Sequence, residues 1–401
     1  MRMDRDGFVP LYMREDFSDV RYLVLMLGPA CNMRCRHCFQ IPERVESDVS
    51  VKSVDERVVG LVRNFIRFSL SNPRPDGKPR RLYFYGGEPL LHWGLIRPFI
   101  ERMSDEFRLA DTDLFRFDLI TNGLLLDEEK VRFFNDYKVR VSFSYDAPEP
   151  FAVRGYVPDG VCGLVNGIDD CLVLSTCSAR NTDILLAYRC LSAKFPKARI
   201  VIGYNMVHSF ALPKDAYAYD WSVVHDNVRK LRIAVQMDDA FALDYVFRHF
   251  AVHLFGNDKG DVGDRLSCMR GGYMFSLSVG GDVYACYGCG YRLGTVCDAE
   301  EVLLARASDY AGSLASFRCR DCRHKDVCKS HCLLDLKDGD GYYLSCRHFL
   351  LRFFDIVKSE LLLLSEPLSV GDREWFLGQD ALMVDVVKKF CLEGGEERES
   401  D

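Results

Sequence analysis

The stretch GPACNMRCRHCFQ at residues 28–40 places three cysteines at Cys31, Cys35 and Cys38. Three thiols are one short of the four that close a structural metal site. Three thiolates on a four-iron cluster leave one iron without a protein ligand, and an open position is what catalytic metal sites keep. Two plainer readings stand beside this one. Positions i, i+4 and i+7 share a helix face, which would make three buried thiols, and an incomplete zinc site would use the same residue types. Arg34, Arg36 and His37 crowd the stretch with polar groups and Pro29 precedes it, which suits a loop wrapped around a cluster.

Two further groups of residues could do chemistry. In FYGGEPLL, Gly86 and Gly87 let the backbone approach a ligand closely, and the Glu88 carboxylate can bind an ammonium group; a plain turn is the alternative. Further on, Ser144, Asp146 and Arg154 are polar groups at or after a strand end, either ligand contacts or turn caps, and Asn122–Gly123 reads equally as turn chemistry. Near the C-terminus, CRDCRHKDVCKSHC spaces Cys319, Cys322, Cys328 and Cys332 as C-x2-C-x5-C-x3-C. Cys268 lies upstream, Gly281 precedes Cys286 by four residues, and Cys346 lies downstream. A zinc ribbon would use two C-x2-C pairs, but this run of cysteines exceeds one zinc site.

The elements that must position these residues can be read from pattern. RYLVLML (21–27), RLYFYG (81–86), FRFDLI (115–120), VRVSFSY (139–145), RIVIGYNMV (199–207) and LRIAVQMD (231–238) read as strands. Helical patterns at 53–70, 95–107 and 127–137 alternate with them. The expectation is an α/β fold: a partial six-unit (β/α) barrel, open rather than closed, with its chemistry at the C-terminal strand ends. Composition shifts near residue 257, so the expected domains are a barrel over 1–256, a cysteine-rich domain over 257–348, and C-terminal helices with an acidic disordered tail over 349–401.

The 17 cysteines of this 401-residue chain are the anomaly, since its 48% hydrophobic and 28% charged residues are ordinary for a globular protein. A disulfide scaffold would be shorter, so clustered thiols point to metal, while Cys162, Cys171, Cys177, Cys190 and Cys391 read as small buried hydrophobes. A net charge of −7 without a basic stripe argues against nucleic acid. No apolar run approaches the roughly 18 residues of a membrane span, and no signal peptide opens the chain, so the sequence reads as cytoplasmic.

The pattern C-x3-C-x2-C, with His37 before the third cysteine, resembles the signature of radical S-adenosylmethionine enzymes. In that family the open iron binds the amino and carboxylate groups of S-adenosylmethionine. One-electron reduction of the cluster then yields a 5′-deoxyadenosyl radical that abstracts a substrate hydrogen. The resemblance implies that Gly86, Gly87 and Glu88 hold the methionine amino group, and that Ser144, Asp146 and Arg154 contact ribose and carboxylate. The later cysteines resemble the SPASM extension, which holds two auxiliary four-iron clusters. It implies Cys268, Cys286 and Cys332 for the first cluster, and Cys319, Cys322, Cys328 and Cys346 for the second. The first then lacks a fourth ligand. Cys289, three residues from Cys286, is the expected one; Cys297, which follows a short strand and reads as buried, and an open iron are the alternatives.

The implied cofactors are three four-iron clusters and S-adenosyl-L-methionine, and the implied reaction is oxidative modification of a peptide or protein. A one-electron donor such as flavodoxin or ferredoxin is expected. Because only 30 residues precede Cys31, no leader-recognition domain is expected there, and a peptide would be read by the barrel mouth, by the cysteine-rich domain or by a separate leader-recognition protein. Sulfatase maturases of this family carry Asp where this chain has Tyr287, and Gln where it has Tyr85, which argues against that branch. Tyr287 is the one candidate for a catalytic residue. A radical dehydrogenase or oxidase of a small molecule is the first alternative. A non-catalytic iron–sulfur carrier is the second, disfavoured because a carrier needs no open iron.

Overall fold

The computed structural model describes residues 9–35, 38, 53–148, 154–177, 182–204, 219–246, 274–284, 291–314 and 351–388. Its centre is β1 (Tyr22–Met26), in which the alternation of YLVLM buries Leu23 and Leu25 against helices and turns Tyr22 and Met26 to the other face. On one side of β1 follow β2 (Arg80–Tyr85), β3 (Phe115–Thr121), β4 (Arg140–Ser144), β5 (Cys171–Cys177) and β6 (Arg199–Tyr204), each parallel to its neighbour. The parallel sheet and its crossover helices bear out the α/β expectation.

The helices between the strands start where a carboxylate can cap them. Asp55 accepts from the Arg57 N–H at the head of α1 (Glu56–Ser71), and Asp127 from the Lys130 N–H at the head of α3 (Glu128–Asp136). Between these lies α2 (Trp93–Phe107). Later come α4 (Asp159–Val165), α5 (Ile184–Lys194), capped by Asp183, and α6 (Trp221–Gln236), capped by Asp220. One sheet face takes this whole layer. Phe65 of α1 meets Phe115 edge-on at 5.9 Å and Phe17 at 5.2 Å, and Phe99 of α2 meets Phe84 at 5.9 Å. The opposite face carries Tyr22, Arg81, Tyr83, Arg116, Asp118 and Arg140 and no helix among the described residues.

Two strand assignments are corrected. The segment LRIAVQMD is the last part of α6 and the turn that follows it: Val224, Val228, Leu231 and Ala234 are buried at helical spacing, and the short apolar run conceals that period. The sixth parallel strand is instead CLVLSTC, in which Cys171 and Val173 are buried. Reading its cysteines one at a time as isolated buried thiols hid the strand. Cys171 is buried, as are Cys162 and Cys190.

The sheet does not stop at β1. A seventh parallel strand, β7 (Met274–Ser278), pairs with the free side of β1, and the antiparallel strands β8 (Asp282–Tyr284) and β9 (Arg292–Thr295) continue it. Among the described residues nine strands thus form one sheet with β6 and β9 at its ends. The strands beyond residue 257 extend the same sheet, while the boundary at 256/257 itself lies outside the described residues. After β9 come α7 (Glu300–Leu314), α8 (Leu351–Leu362) and α9 (Val370–Val386). The last two clamp onto α6 through the buried Arg232, which reaches Glu360 at 2.8 Å and Asp372 at 3.2 Å. No helix among the described residues is long and apolar enough to cross a membrane.

Candidate active site

The parallel strands all deliver their C-terminal ends to one edge, and the motifs gather there. The chain leaving β1 runs beside the chain leaving β2, held by Leu27 N–H to the Tyr85 carbonyl at 2.8 Å, Gly87 N–H to Gly28 at 2.9 Å and Glu88 N–H to Ala30 at 2.7 Å. This contact explains the two glycines. A side chain at Gly86 would place its Cβ 2.5 Å from the Gly28 carbonyl oxygen, and one at Gly87 would collide with the backbone of Pro29 and Ala30. The close approach expected toward a ligand is made, in the first place, toward the cysteine loop.

Glu88 has a second structural part. Its side chain is buried, and three donors surround it: Leu90 N–H at 3.0 Å and the Thr121 hydroxyl at 2.7 Å on one oxygen, Asn122 N–H at 2.8 Å on the other. The carboxylate thereby ties the end of β2 to the end of β3. Burial pushes its pKa up to about 7, against the pull of the three hydrogen bonds.

Cys31, Cys35 and Cys38 lie half-buried on the loop after β1, none of them in a disulfide. The Met33 N–H points at the Cys31 sulfur at 3.4 Å, and the Asn122 side-chain amide approaches it at 3.9 Å while donating to Asn32 at 2.8 Å. From the sequence, Asn122 reads equally as turn chemistry. It does make the turn, accepting from the Leu124 N–H at 3.0 Å, and it also faces the cysteine loop. Its place at a strand end beside the motif edge was the signal available.

Asp146 and Arg154 are brought together, Oδ1 to Nε at 3.5 Å, while the Thr176 N–H donates to the same oxygen at 3.0 Å. The other Asp146 oxygen is buried without a hydrogen-bond partner among the described residues. Burial would lower the Arg154 pKa, but Asp146, Cys35 and Cys38 together hold it above its ordinary value. The guanidinium therefore lies within electrostatic reach of two of the three thiols. Ser144 ends β4, opposite Leu174 of β5.

These residues fit an iron–sulfur cluster. Soft thiolates, amide donors aimed at sulfur and a buried cation nearby are what such a cluster asks of its protein. Among the described residues no three His, Cys, Asp or Glu side chains converge on a single-ion position, and thiolates that ligate separate irons of one cluster have no need to. His37, Tyr287, Cys268, Cys286, Cys289, Cys319, Cys322, Cys328, Cys332 and Cys346 lie outside the described residues. Cys297 is placed, and it is exposed rather than buried, two residues past β9, with the Arg57 guanidinium 2.9 Å from its sulfur.

Comparison with known proteins agrees with this edge of the sheet. TigE, a radical SAM cyclopropyl synthase of Paramaledivibacter caminithermalis, is 22% identical over 373 residues, which cover 82% of this chain and 72% of that protein. The serine-type anaerobic sulfatase-maturating enzyme of Klebsiella aerogenes is 24% identical over 430 residues, 95% of this chain and 96% of its own length. The solved structure of native anSMEcpe with AdoMet and the Cp18Cys peptide bound shares the fold, with a TM-score of 0.59 at 15% identity over 86% of this chain and 99% of that one. Residues 25–161 match the Radical SAM superfamily, so the β1 cysteine loop, the Gly-Gly-Glu turn and the strands behind them make up a radical S-adenosylmethionine domain, which implies a four-iron cluster and S-adenosylmethionine.

Proposed function

We propose that the protein is a radical S-adenosylmethionine enzyme that oxidatively modifies a peptide or protein. The observation that carries this reading is the reach of the likeness: the match to a sulfatase-maturating enzyme spans nearly the whole of both chains and so includes the cysteine-rich segment after residue 257. In this reading Cys31, Cys35 and Cys38 hold the radical cluster, which with its bound cofactor supplies the hydrogen-abstracting 5′-deoxyadenosyl radical. Cys268, Cys286, Cys332 and Cys289 hold one auxiliary cluster, and Cys319, Cys322, Cys328 and Cys346 the other. The chain's own work is positional. Gly86 and Gly87 press the turn against the cysteine loop, Glu88 locks β2 to β3, and Asn122 offers an N–H toward Cys31. Ser144, Asp146 and Arg154 line the next strand end for polar groups of the cofactor, and the orphaned Asp146 oxygen suits a donor such as a ribose hydroxyl.

Tyr287 keeps sulfatase maturation out of the proposal, because a phenol with an ordinary pKa of about 10 is a poor resting proton acceptor. The test is anaerobic. Protein reconstituted with iron and sulfide, reduced and given S-adenosylmethionine, should release 5′-deoxyadenosine and methionine. No release from reduced, cluster-replete protein would overturn the reading.

A further inference from the structure

We infer that the helix-free face of the sheet carries, away from the cysteine loop, a receptor for the carboxylate of an acidic side chain in the peptide substrate, built from Arg81 and Arg140 around Asp118. The inference rests on the peptide reading above and adds to it a substrate preference.

Strand register assembles the group. Arg81 of β2 lies opposite Arg116 of β3, Tyr83 opposite Asp118, and Asp118 opposite Arg140 of β4. With a period of two along each strand, all five project on the face that no helix covers. Arg81 Nη1 donates to Asp118 at 2.6 Å, and Arg140 Nε donates to Asp170 at 2.9 Å. Arg81 Nε and Nη2 and both Arg140 Nη atoms make no hydrogen bond among the described residues. Arg116 is used up: it donates to the Thr112 and Phe115 carbonyls and to Asp113, so it contributes charge alone.

The buried balance is three guanidinium groups to one carboxylate. Asp170 and Asp113 also bear on it, but their side chains are 43% and 88% exposed and water screens them. Planar guanidinium forks with unused N–H groups match a carboxylate in shape and charge. Asp118 stays with the protein, since Arg81 and the Tyr83 phenol opposite it both bond its carboxylate, and an acidic residue of a peptide brings a carboxylate for the unused arginine N–H groups.

The receptor opens at Arg140, which keeps 17% of its side chain exposed, while Arg81 and Asp118 behind it are buried. Asp118 stands four residues before Asn122, the residue that follows β3, and so about 13 Å from the cysteine-loop edge. An extended peptide covers that distance in about three to four residues. The acid recognised is therefore about that far from the residue modified.

The test uses the full-length, cluster-reconstituted protein and two fluorescent pools of short peptides. One pool carries a single fixed glutamate among uncharged residues; the other carries glutamine in its place. Fluorescence anisotropy should show the glutamate pool bound about tenfold tighter, the size of a charge-assisted contact. The preference should vanish in Arg140→Gln, fall between in Arg140→Lys, and persist in Arg63→Gln, which removes a charge from the helix surface. Equal binding of both pools by the wild type overturns the inference whether or not the variants fold, and so does a preference that survives Arg140→Gln. Release of 5′-deoxyadenosine, assayed separately on the wild type, reports on the enzymatic reading without reference to the pools.

Discussion

The two ends of one sheet face are built by different means. At the C-terminal edge, main chain meets main chain: Gly28 and Ala30 bond to Gly87 and Glu88, and the Glu88 carboxyl is enclosed by neutral donors. At the other end, side chains from three strands meet, and Arg81, Asp118 and Arg140 hold one another through charge. Backbone contact between two loops is local and tolerates almost no side chain. A charge cluster spread over strands tolerates different partners but fails when one is lost. A cofactor common to a whole superfamily suits the first construction, and a variable substrate suits the second.

The contrast can be broken, beginning with the largest effect. Replacing Cys31, Cys35 and Cys38 together with Ala should abolish 5′-deoxyadenosine formation and remove about a third of the iron, if three four-iron clusters are present. Iron analysis and product chromatography on one preparation decide it. Asp118→Leu should cost about 3–5 kcal/mol, because Arg81 is left buried and uncompensated. Adding Arg81→Met should restore most of that loss, as read from denaturant midpoints.

Glu88 provides a graded test at the other end. Its ordinary carboxyl pKa of 4.5 is raised to about 7 in the folded protein. Between those values the folded state holds a proton that the unfolded chain has released. The contribution of Glu88 is thus whole below pH 4.5 and is lost as the pH climbs to 7. The stability of the wild type relative to Glu88→Gln should fall by up to roughly 3 kcal/mol across that window. A flat difference would show that the three donors outweigh burial. The smallest effect is steric: Gly87→Ala should cost about 1–3 kcal/mol and weaken iron retention by displacing the cysteine loop. Gly60→Ala, in α1 where an added Cβ meets nothing, should instead stabilise by about 0.5–1 kcal/mol.

What was legible in the sequence follows the same division. Cys31, Cys35, Cys38 and Gly86–Glu88 could be read because each motif is short and its chemistry depends on neighbours in the chain. The purpose of the glycines could not, because the atoms they make room for belong to Gly28 and Ala30, across two strands. Nor could the pairing of Arg81 with Asp118, since 37 residues and a strand register intervene. The exchange of α6 for β5 came from apolar runs too short to declare their period: LRIAV is a stretch of helix and CLVLS a stretch of strand. Cys297 reads as buried because a thiol after a strand usually is, yet it follows the outermost of the described strands and is exposed.

The pairing of β7 with β1 has a consequence for how the chain can be divided. β1 is the apolar strand YLVLM, and it presents one hydrogen-bonding edge to β2 and the other to β7. A fragment ending at residue 256 would keep every residue of the superfamily match and still leave the second edge bare, its N–H and C=O groups offered to any passing strand. Exposed apolar edges of that kind template self-association. The expected product of such a truncation is an aggregate rather than a smaller radical enzyme, and the later segment acts toward the first as a built-in chaperone that never leaves.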